Sequence, residues 1–381
     1  MNAQEAQLDY PFGDALPLAG STLDVAPGVK WIRMGLPFAL DHINLWLLRD
    51  ALDGPQGKVR GWTVVDCCVS RDESKAQWEQ IFSGELDGLP VLRVIVTHMH
   101  PDHIGLAHWL CERWKAPLWI SATDYNTASL SIRGSTGFGG TNSADFFASH
   151  GLTNAGYLEQ IRGRSNYYPG LVPAVPASFH RMMDGQVIAI GGRDWTCISG
   201  YGHAPEHIAL SCADISLAPT VPAAPAPRGG AAGLGAARRP AGLLISGDMV
   251  LPRISTNISV YDVEPESNPL TLFLQSIDKF KALHPDTLVL PSHGKPFRGL
   301  HTRIDQLHAH HRDRLAEVMD ACAASPCSAA DILPVMFKRT LDLHQTTFAM
   351  GEAVAHLHTL WFDGKLRRLL GDDGVYRFQP V

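Results

Sequence analysis

The sequence predicts a layered α/β fold, in which helices cover the strands of one or more sheets. Up to residue 120, short apolar runs and segments with helical spacing follow one another in the order β, β, β, α, β, α, β. Apolar runs of strand length also end repeatedly in a side chain that can bind a ligand, at Asp66, His98, Asp248 and His293. Because ligand sites in layered α/β folds form at strand ends, this recurrence indicates one shared site.

The elements of the first 120 residues follow from apolar runs bounded by turn residues. Runs rich in valine, isoleucine and tryptophan predict strands at 29–34, 43–49, 62–65, 91–96 and 117–120. Between these runs, apolar residues recur with helical spacing, which predicts helices over 73–81 and 104–114.

The next segment, residues 121–181, is less regular. Glycine-rich turns near residues 134–140 precede a helix expected between residues 143 and 162, and aromatic residues are frequent throughout. Two interpretations of this insert are equally well supported by the sequence. One is a lid or substrate wall, and the other is a helical decoration that packs its own small core.

Strand patterns resume after the insert and enclose a low-complexity segment. Strands are expected at 187–190, 195–198, 208–212, 243–245 and 287–290, with a helix over 269–283. Residues 218–241 are nearly all Ala, Pro, Gly and Arg. This composition has too little large apolar surface to fold, so it predicts a flexible loop at an expanded hairpin tip.

A separate C-terminal unit is predicted over residues 299–381, which leaves residues 1–298 as the main domain. Helices are expected over 301–323, 329–337 and 349–362, followed by a β-hairpin around the turn at 371–374. Helices followed by such a hairpin resemble a winged-helix domain.

Composition and charge restrict the classes of protein to which the chain is expected to belong. The 381 residues are 45% apolar and 18% charged, which is ordinary for a globular enzyme, and the net charge of −6 favours neither nucleic acid nor an anionic membrane. No run approaches the ~20 apolar residues that span a bilayer. The start lacks the pattern of a signal peptide. Seven cysteines without a Cys-x-x-Cys pair fit reduced thiols, so a cytoplasmic protein is expected.

The strongest local signal is the stretch 97–105, which directly follows a predicted strand. It contains His98, His100, Asp102 and His103 within six consecutive positions. In an extended chain the i, i+2 spacing of the first two histidines directs both side chains to one face. Neutral imidazole and carboxylate are the ligands that zinc-like or iron-like ions prefer. The alternative is a polar turn that happens to be rich in histidine.

Together with His203, Asp248 and His293 further along the chain, this motif resembles the metallo-β-lactamase superfamily of hydrolases. The resemblance runs from about residue 29 to residue 298, and it implies a four-layer αββα sandwich. The C-terminal unit is similar to the winged-helix-like domain of the lactamase-β-like branch of that superfamily.

The resemblance also implies a role for each residue. One metal ion would be held by His98, His100 and His203, a second by Asp102, His103 and His293, and Asp248 would bridge the two. An acid such as Asp66 at a strand end commonly caps the next helix. In this family, however, the matching aspartate supports the metal-binding loop from behind.

The implied chemistry is metal-dependent hydrolysis. Two divalent ions suit these ligands, most simply Zn²⁺, with Fe or Mn as alternatives. Ions ~3.5–4 Å apart share a water and lower its pKa towards ~7, which makes a metal-bridged hydroxide available at neutral pH. Asp102 is the expected catalytic residue, since it can orient this nucleophile or take its proton. The expected substrate is a small-molecule ester, thioester, lactone or phosphodiester.

Three further residues are candidates for substrate binding. Arg253 suits an anionic substrate group, although a lone arginine is more often a surface ion-pair partner. His207 follows His203 closely; it either contacts the substrate or supports the metal ligands from behind, or else it faces solvent or packs in the sheet. Tyr125 stands at the start of the insert.

Two other functions use overlapping motifs, namely an endoribonuclease of the same branch and a mononuclear-iron persulfide dioxygenase. A nuclease needs a positively charged surface that binds the phosphate backbone, but residues 300–381 contain nine Lys and Arg against ten Asp and Glu. We therefore expect the C-terminal unit to pack or to form a homodimer rather than to bind nucleic acid. Metal stoichiometry separates the dioxygenase, which holds one iron, from a two-metal hydrolase.

Overall fold

A seven-stranded sheet forms the first half of the fold. The computed structural model of the chain describes residues 4–55, 57–133, 139–164, 166–213 and 241–381. The strands lie side by side in chain order and are β1 (Leu23–Ala26), β2 (Val29–Gly35), β3 (His42–Gly54), β4 (Gly57–Val65), β5 (Val91–Ile95), β6 (Leu118–Ser121) and β7 (Phe179–Met182). Neighbours from β1 to β4 pair antiparallel, and neighbours from β4 to β7 pair parallel.

A five-stranded sheet packs against the first. Its strands also lie in chain order and are β8 (Val187–Ile190), β9 (Arg193–Gly200), β10 (His207–Cys212), β11 (Leu243–Gly247) and β12 (Leu288–Pro291). Neighbours from β8 to β11 pair antiparallel, and β11 pairs parallel with β12. The pairing of Cys212 with Leu243 agrees with the hairpin predicted around residues 218–241. Apart from Ala241, that predicted flexible loop lies outside the described residues.

Eleven α-helices are present in the described part of the chain. They are α1 (Asp72–Gly84), α2 (Pro101–Ile104), α3 (Ala107–Trp114), α4 (Ala122–Ser131), α5 (Thr141–Ser149), α6 (Ala155–Arg162), α7 (Tyr167–Leu171), α8 (Pro269–Asp278), α9 (Leu300–Ala324), α10 (Ala329–Met336) and α11 (Leu343–Phe362). Among them, no helix combines the length and the apolarity that crossing a membrane requires.

Three apolar cores separate the layers, because side chains alternate between the two faces of each strand. On β3, Trp46 and Leu48 face the core between the two sheets, whereas Leu45 and Leu47 face the core beneath α1 and α3. On β10, Ala209 faces a third core, which lies beneath α8 and α9. This order of helix, sheet, sheet and helix confirms the predicted αββα sandwich.

The C-terminal unit packs on the outer face of the second sheet. After α9, α10 and α11 come two antiparallel strands, β13 (Leu366–Leu370) and β14 (Tyr376–Pro380). Ile304, Met350 and Phe378 of this unit share one apolar core with Phe273 of α8. The predicted helices and hairpin are therefore confirmed. The winged-helix description and the domain boundary at residue 298 stay predictions.

The insert at 121–181 forms four short helices rather than one. The single helix expected between residues 143 and 162 is wrong, since α5 ends at Ser149 and α6 begins at Ala155. Phe146 and Phe147 of α5 pack into the core that the C-terminal unit also uses. The insert thus contains a packing part, and its role as a lid over the site stays a prediction.

Helix α11 begins six residues before its predicted start at residue 349. Thr346 and Thr347 have low helix propensity, which weakens the sequence signal there. In the structure, Asp342 and Gln345 form a capping box that satisfies backbone N–H groups at the helix start. The additional turns carry His344 to the candidate site.

Candidate metal centre

The predicted metal ligands lie where strand ends of the two sheets meet. β4 and β5 end side by side and lead into Asp66 and into the motif that begins at His98. In the second sheet, β11 and β12 end side by side and lead into Asp248 and His293. His203 lies in the turn between β9 and β10. The topology therefore brings together residues that are far apart in the chain.

Backbone hydrogen bonds join the two sheets at this edge. The N–H of Ile208 on β10 donates to the carbonyl of Thr97 at 2.8 Å, and the N–H of Asn44 on β3 donates to the carbonyl of Ser292 at 2.7 Å. Each bond lies next to a predicted ligand in the chain. The two halves of the site are consequently held in fixed register.

Three histidines converge on a first point. The Nε2 of His98 lies 2.9 Å from the Nδ1 of His100 and 3.2 Å from the Nε2 of His203, and the last two nitrogens are 3.1 Å apart. A tetrahedral zinc ion with bonds of about 2.0–2.1 Å separates its ligand atoms by about 3.3 Å. Burial lowers the pKa of His100 to about 3 and that of His98 well below its ordinary value. Both rings are therefore neutral, as metal ligation requires.

A second point is formed by Asp102, His103 and His293. The Oδ2 of Asp102 lies 3.4 Å from the Nε2 of His293 and 3.7 Å from the Nε2 of His103. Asp248 faces both points. Its Oδ2 lies 3.2 Å from the Nε2 of His203, and its Oδ1 lies 3.5 Å from His103 Nε2 and 3.4 Å from His293 Nε2. Its carboxylate thus stands between the two sets of nitrogens.

The second point contains buried polar atoms without hydrogen bonds in the described part of the chain, and its electrostatic potential is negative. Both properties favour a bound cation. The Nε2 of His103 and the Oδ1 of Asp248 make no hydrogen bond with any described residue, although both are buried. Burial alone would lower the pKa of His293, but the carboxylates of Asp248 and Asp102 outweigh it and raise this pKa to about 10. A site that holds a proton so strongly also favours a divalent cation in its place. The residues present therefore fit two divalent ions.

Asp66 supports the motif from behind. It is buried at the end of β4 with a φ of 63°, a conformation that few non-glycine residues adopt. Its Oδ1 accepts the N–H of Thr97 at 2.8 Å, and its Oδ2 lies 2.9 Å from the Nδ1 of His103. A carboxylate on Nδ1 fixes the ring and leaves Nε2 to face the second point.

Asp124 is a supporting residue that sequence reasoning missed. It lies in the first turn of α4, where its carboxylate accepts the N–H of Met99 at 2.7 Å and the N–H of Glu206 at 2.6 Å. Met99 lies between two predicted ligands, and Glu206 belongs to the turn that carries His203. One buried carboxylate thus joins the two loops of the first point. The only sequence signal was Ser121 three residues earlier, which predicts no more than a helix cap.

Replacing Asp124 with asparagine is expected to weaken zinc binding by about 10–100-fold. Burial raises the pKa of Asp124 to about 6, so the native carboxylate is ionised at neutral pH. An asparagine has only one acceptor oxygen, which leaves either the Met99 or the Glu206 N–H without a partner. Competition with a chromophoric chelator measures the change. Asp145→Asn, on the surface of α5, is the matched control, and equal zinc affinity in both variants would contradict the assigned role.

A cavity of about 290 Å³ lies directly over the two points. Candidate ligands from both points line its floor, and its walls are mainly apolar or aromatic, with Ser255, Thr256 and Asn257 as polar lining residues. The apolar and aromatic wall residues include Leu36, Phe38, Ala39, Leu40, Tyr167, Leu251, Ile254, His344 and Phe348. They come from the β2–β3 loop, α7, the loop after β11 and α11. Sequence reasoning missed most of them because they are distant in the chain, and the aromatic content of the insert was the only signal.

The three predicted substrate residues lie outside the walls of this cavity. His207 is fully buried in β10, where its Nε2 accepts the backbone N–H of Asp248 at 3.2 Å. The hydroxyl of Tyr125 donates to the carbonyl of Pro176 at 2.7 Å, and its ring stacks on Phe179. Arg253 lines a neighbouring cleft of about 820 Å³, and its side chain is 72% exposed. The two clefts share Ile254 and His293 among their lining residues.

Comparisons with known proteins agree with this geometry. The family model described as metallo-beta-lactamase superfamily matches residues 43–237, and the one described as metallo-beta-lactamase-like, C-terminal domain, matches residues 315–381. The curated protein "Probable metallo-hydrolase YqjP" of Bacillus subtilis is 22% identical over 339 residues, which cover 86% of this chain and 91% of that protein.

Two solved structures show the same architecture over most of the chain. A beta-lactamase domain protein from Burkholderia ambifaria is 52% identical, with both chains fully covered and a TM-score of 0.88. A metallo-beta-lactamase family protein from Thermus thermophilus is 23% identical, covers 94% of this chain and 100% of its own, has a TM-score of 0.69 and shows the shared fold alone. The chain belongs to the metallo-beta-lactamase superfamily and is a hydrolase of that fold.

Proposed function

We propose that the chain is a two-metal hydrolase that cleaves an ester, thioester, lactone or phosphodiester bond of a small molecule. The position of Asp248 is the observation that carries this proposal. Its two oxygens face two separate groups of nitrogens at 3.2–3.5 Å. A mononuclear-iron dioxygenase requires only one set of metal ligands. The presence of a second set therefore favours the hydrolase.

The proposed roles divide between the two points. His98, His100 and His203 would hold one ion, most simply Zn²⁺, and Asp102, His103 and His293 would hold the other. When bound, such ions lower the pKa of an attacking water and polarise the carbonyl or phosphoryl oxygen of the substrate. Asp102 lines the cavity with its side chain 17% exposed, so its carboxylate can orient that water or accept its proton.

An endoribonuclease receives less support. Among the described residues that line the cavity there is neither lysine nor arginine, whereas phosphate backbones are recognised chiefly through such cations. The acidic balance of residues 300–381 points in the same direction. A small-molecule substrate is therefore the better proposal. A cytoplasmic location belongs to the same proposal, since all seven cysteines are buried as free thiols.

Metal removal tests the proposal. Elemental analysis of the purified chain is expected to find two zinc ions per chain. Treatment with a strong chelator is expected to abolish hydrolysis across a panel of esters, thioesters, lactones and phosphodiesters, and added zinc should restore it. One iron per chain with oxygen consumption on a persulfide would instead support the dioxygenase. Preferred cleavage of short RNA would support the nuclease.

A further inference from the structure

The side chains that line the cavity above the candidate metal centre indicate which kind of substrate fits there. An aromatic cluster of Phe38, Tyr167, His344 and Phe348 joins three distant parts of the chain. The rings of Phe38 and His344 stack with centroids 6.0 Å apart and an interplanar angle of 8°, and the centroids of His344 and Phe348 are 5.0 Å apart. The hydroxyl of Tyr167 lies 3.0 Å from the Nε2 of His344. These contacts fix the rings in place beside the site.

The cluster leaves an apolar surface for a ligand to cover. Each of its four side chains is only partly buried, and all of them line the cavity. Leu251 and Ile254 add to the apolar lining of the cavity, and Ile254 is 42% exposed. The polar groups of Tyr167 and His344 engage each other, which leaves carbon atoms as the main surface of this wall. Such a wall recognises a ligand through apolar contact rather than through charge.

We propose that this cavity holds the apolar acyl group of a carboxylic ester or thioester, and that Phe348 on α11 is a specificity-determining residue for the length of that group. The inference rests on the proposed hydrolase function and deepens it. An acyl carbonyl placed above the two points would leave its hydrocarbon chain against the aromatic cluster. A phosphodiester carries a negative charge that a neutral ester lacks, and among the described residues that line the cavity no lysine or arginine pairs with it. The C-terminal unit thus takes part in substrate selection.

Chain-length dependence tests the inference on the zinc-loaded protein. With p-nitrophenyl acetate, butyrate and hexanoate and the matching thioesters, kcat/KM is expected to rise roughly fourfold per methylene that the cavity covers. Bis-p-nitrophenyl phosphate should be cleaved more slowly than any of these esters. A flat profile, or a preference for the phosphodiester, would overturn the inference while leaving the two-metal hydrolase intact. The ester and thioester series together show which leaving group the enzyme accepts.

A cavity-filling variant assigns the effect to the wall. Phe348→Trp is expected to reduce the hexanoate-to-acetate ratio of kcat/KM at least tenfold. Phe362→Trp, at the far end of the same helix where the side chain is 52% exposed, should leave the ratio unchanged. If Phe348→Trp does not fold, Ile254→Trp fills the cavity from the loop after β11. An unchanged ratio in a folded, zinc-loaded filling variant would refute the role of the wall.

A binding measurement tests the acyl site even if no compound of the panel is hydrolysed. That outcome counts against the proposed function, but the cavity can still be probed by calorimetry with acetate and hexanoate. Tighter binding of hexanoate, lost in the cavity-filling variant, would support an acyl site. Equal binding of the two carboxylates would overturn it.

Discussion

Replacing His98 and His100 together with alanine is expected to remove the metal of the first point and to lower turnover by at least about 10³-fold. These two rings supply two of the three nitrogens that converge within 2.9–3.2 Å. His203 and Asp248, which remain, are too few ligands to hold a zinc ion in tetrahedral geometry. Asp248 would then lose one of the two ions that its oxygens face, so the second point is expected to bind more weakly as well.

Elemental analysis and turnover of the same preparation measure this result. His180→Ala is the matched control, because His180 lies exposed on β7 and stacks on Trp119 away from the site. Circular dichroism establishes whether the double variant keeps its fold. If a folded double variant retains both bound metal and turnover, the first point is not the catalytic metal site.

The convergence of the candidate ligands was predictable because most of them lie next to a strong local signal. The motif at 98–103 follows a buried strand, and Asp248 and His293 follow two others. A strand end fixes where the backbone delivers its next side chain, so short apolar runs were sufficient to locate the site. The order of layers followed from the same runs. Here local pattern and tertiary structure agree.

The cavity was not predictable in this way, because its walls depend on packing between distant segments. The start of α11 illustrates the reason. Thr346 and Thr347 obscure the helical pattern, and the capping box at Asp342 that compensates for them contributes only once the helix forms. His344 therefore had no signal that would connect it with Tyr167 in the insert. Contacts of this kind require the three-dimensional arrangement.

His207 shows how a short separation in the sequence leaves the role of a residue open. It follows His203 by four residues, but β10 begins at this position and every residue of that strand is buried. The ring consequently lies buried beside the candidate centre, with its centroid 4.9 Å from that of His98, and accepts the backbone N–H of Asp248. This contact with the backbone of Asp248 favours the supporting position among the alternatives that the sequence left open.

Replacing Asp102 with asparagine is expected to lower kcat by about 10²–10⁴-fold while the first point keeps its metal. Asp102 differs from Asp248 in facing the second point alone and in being more exposed, with 17% of its side chain accessible against 10%. It lies within 3.4–3.7 Å of His293 and His103, and it also lines the cavity. Asp66 is buried behind the motif, and the oxygens of Asp248 face nitrogens of both points. Asparagine has nearly the same shape but cannot accept a proton at neutral pH.

The measurement has to separate loss of proton transfer from loss of the second ion, since Asp102 is proposed to serve both. Turnover is therefore followed during zinc titration, together with metal content at each step. If turnover stays low when two ions are bound, the carboxylate acts on the water itself; if it recovers fully, Asp102 serves as a ligand alone. Asp41→Asn, whose side chain is 83% exposed beside the neighbouring cleft, should retain turnover and provides the matched control. The comparison thus tests directly whether the most exposed carboxylate of the site carries the proton that hydrolysis must move.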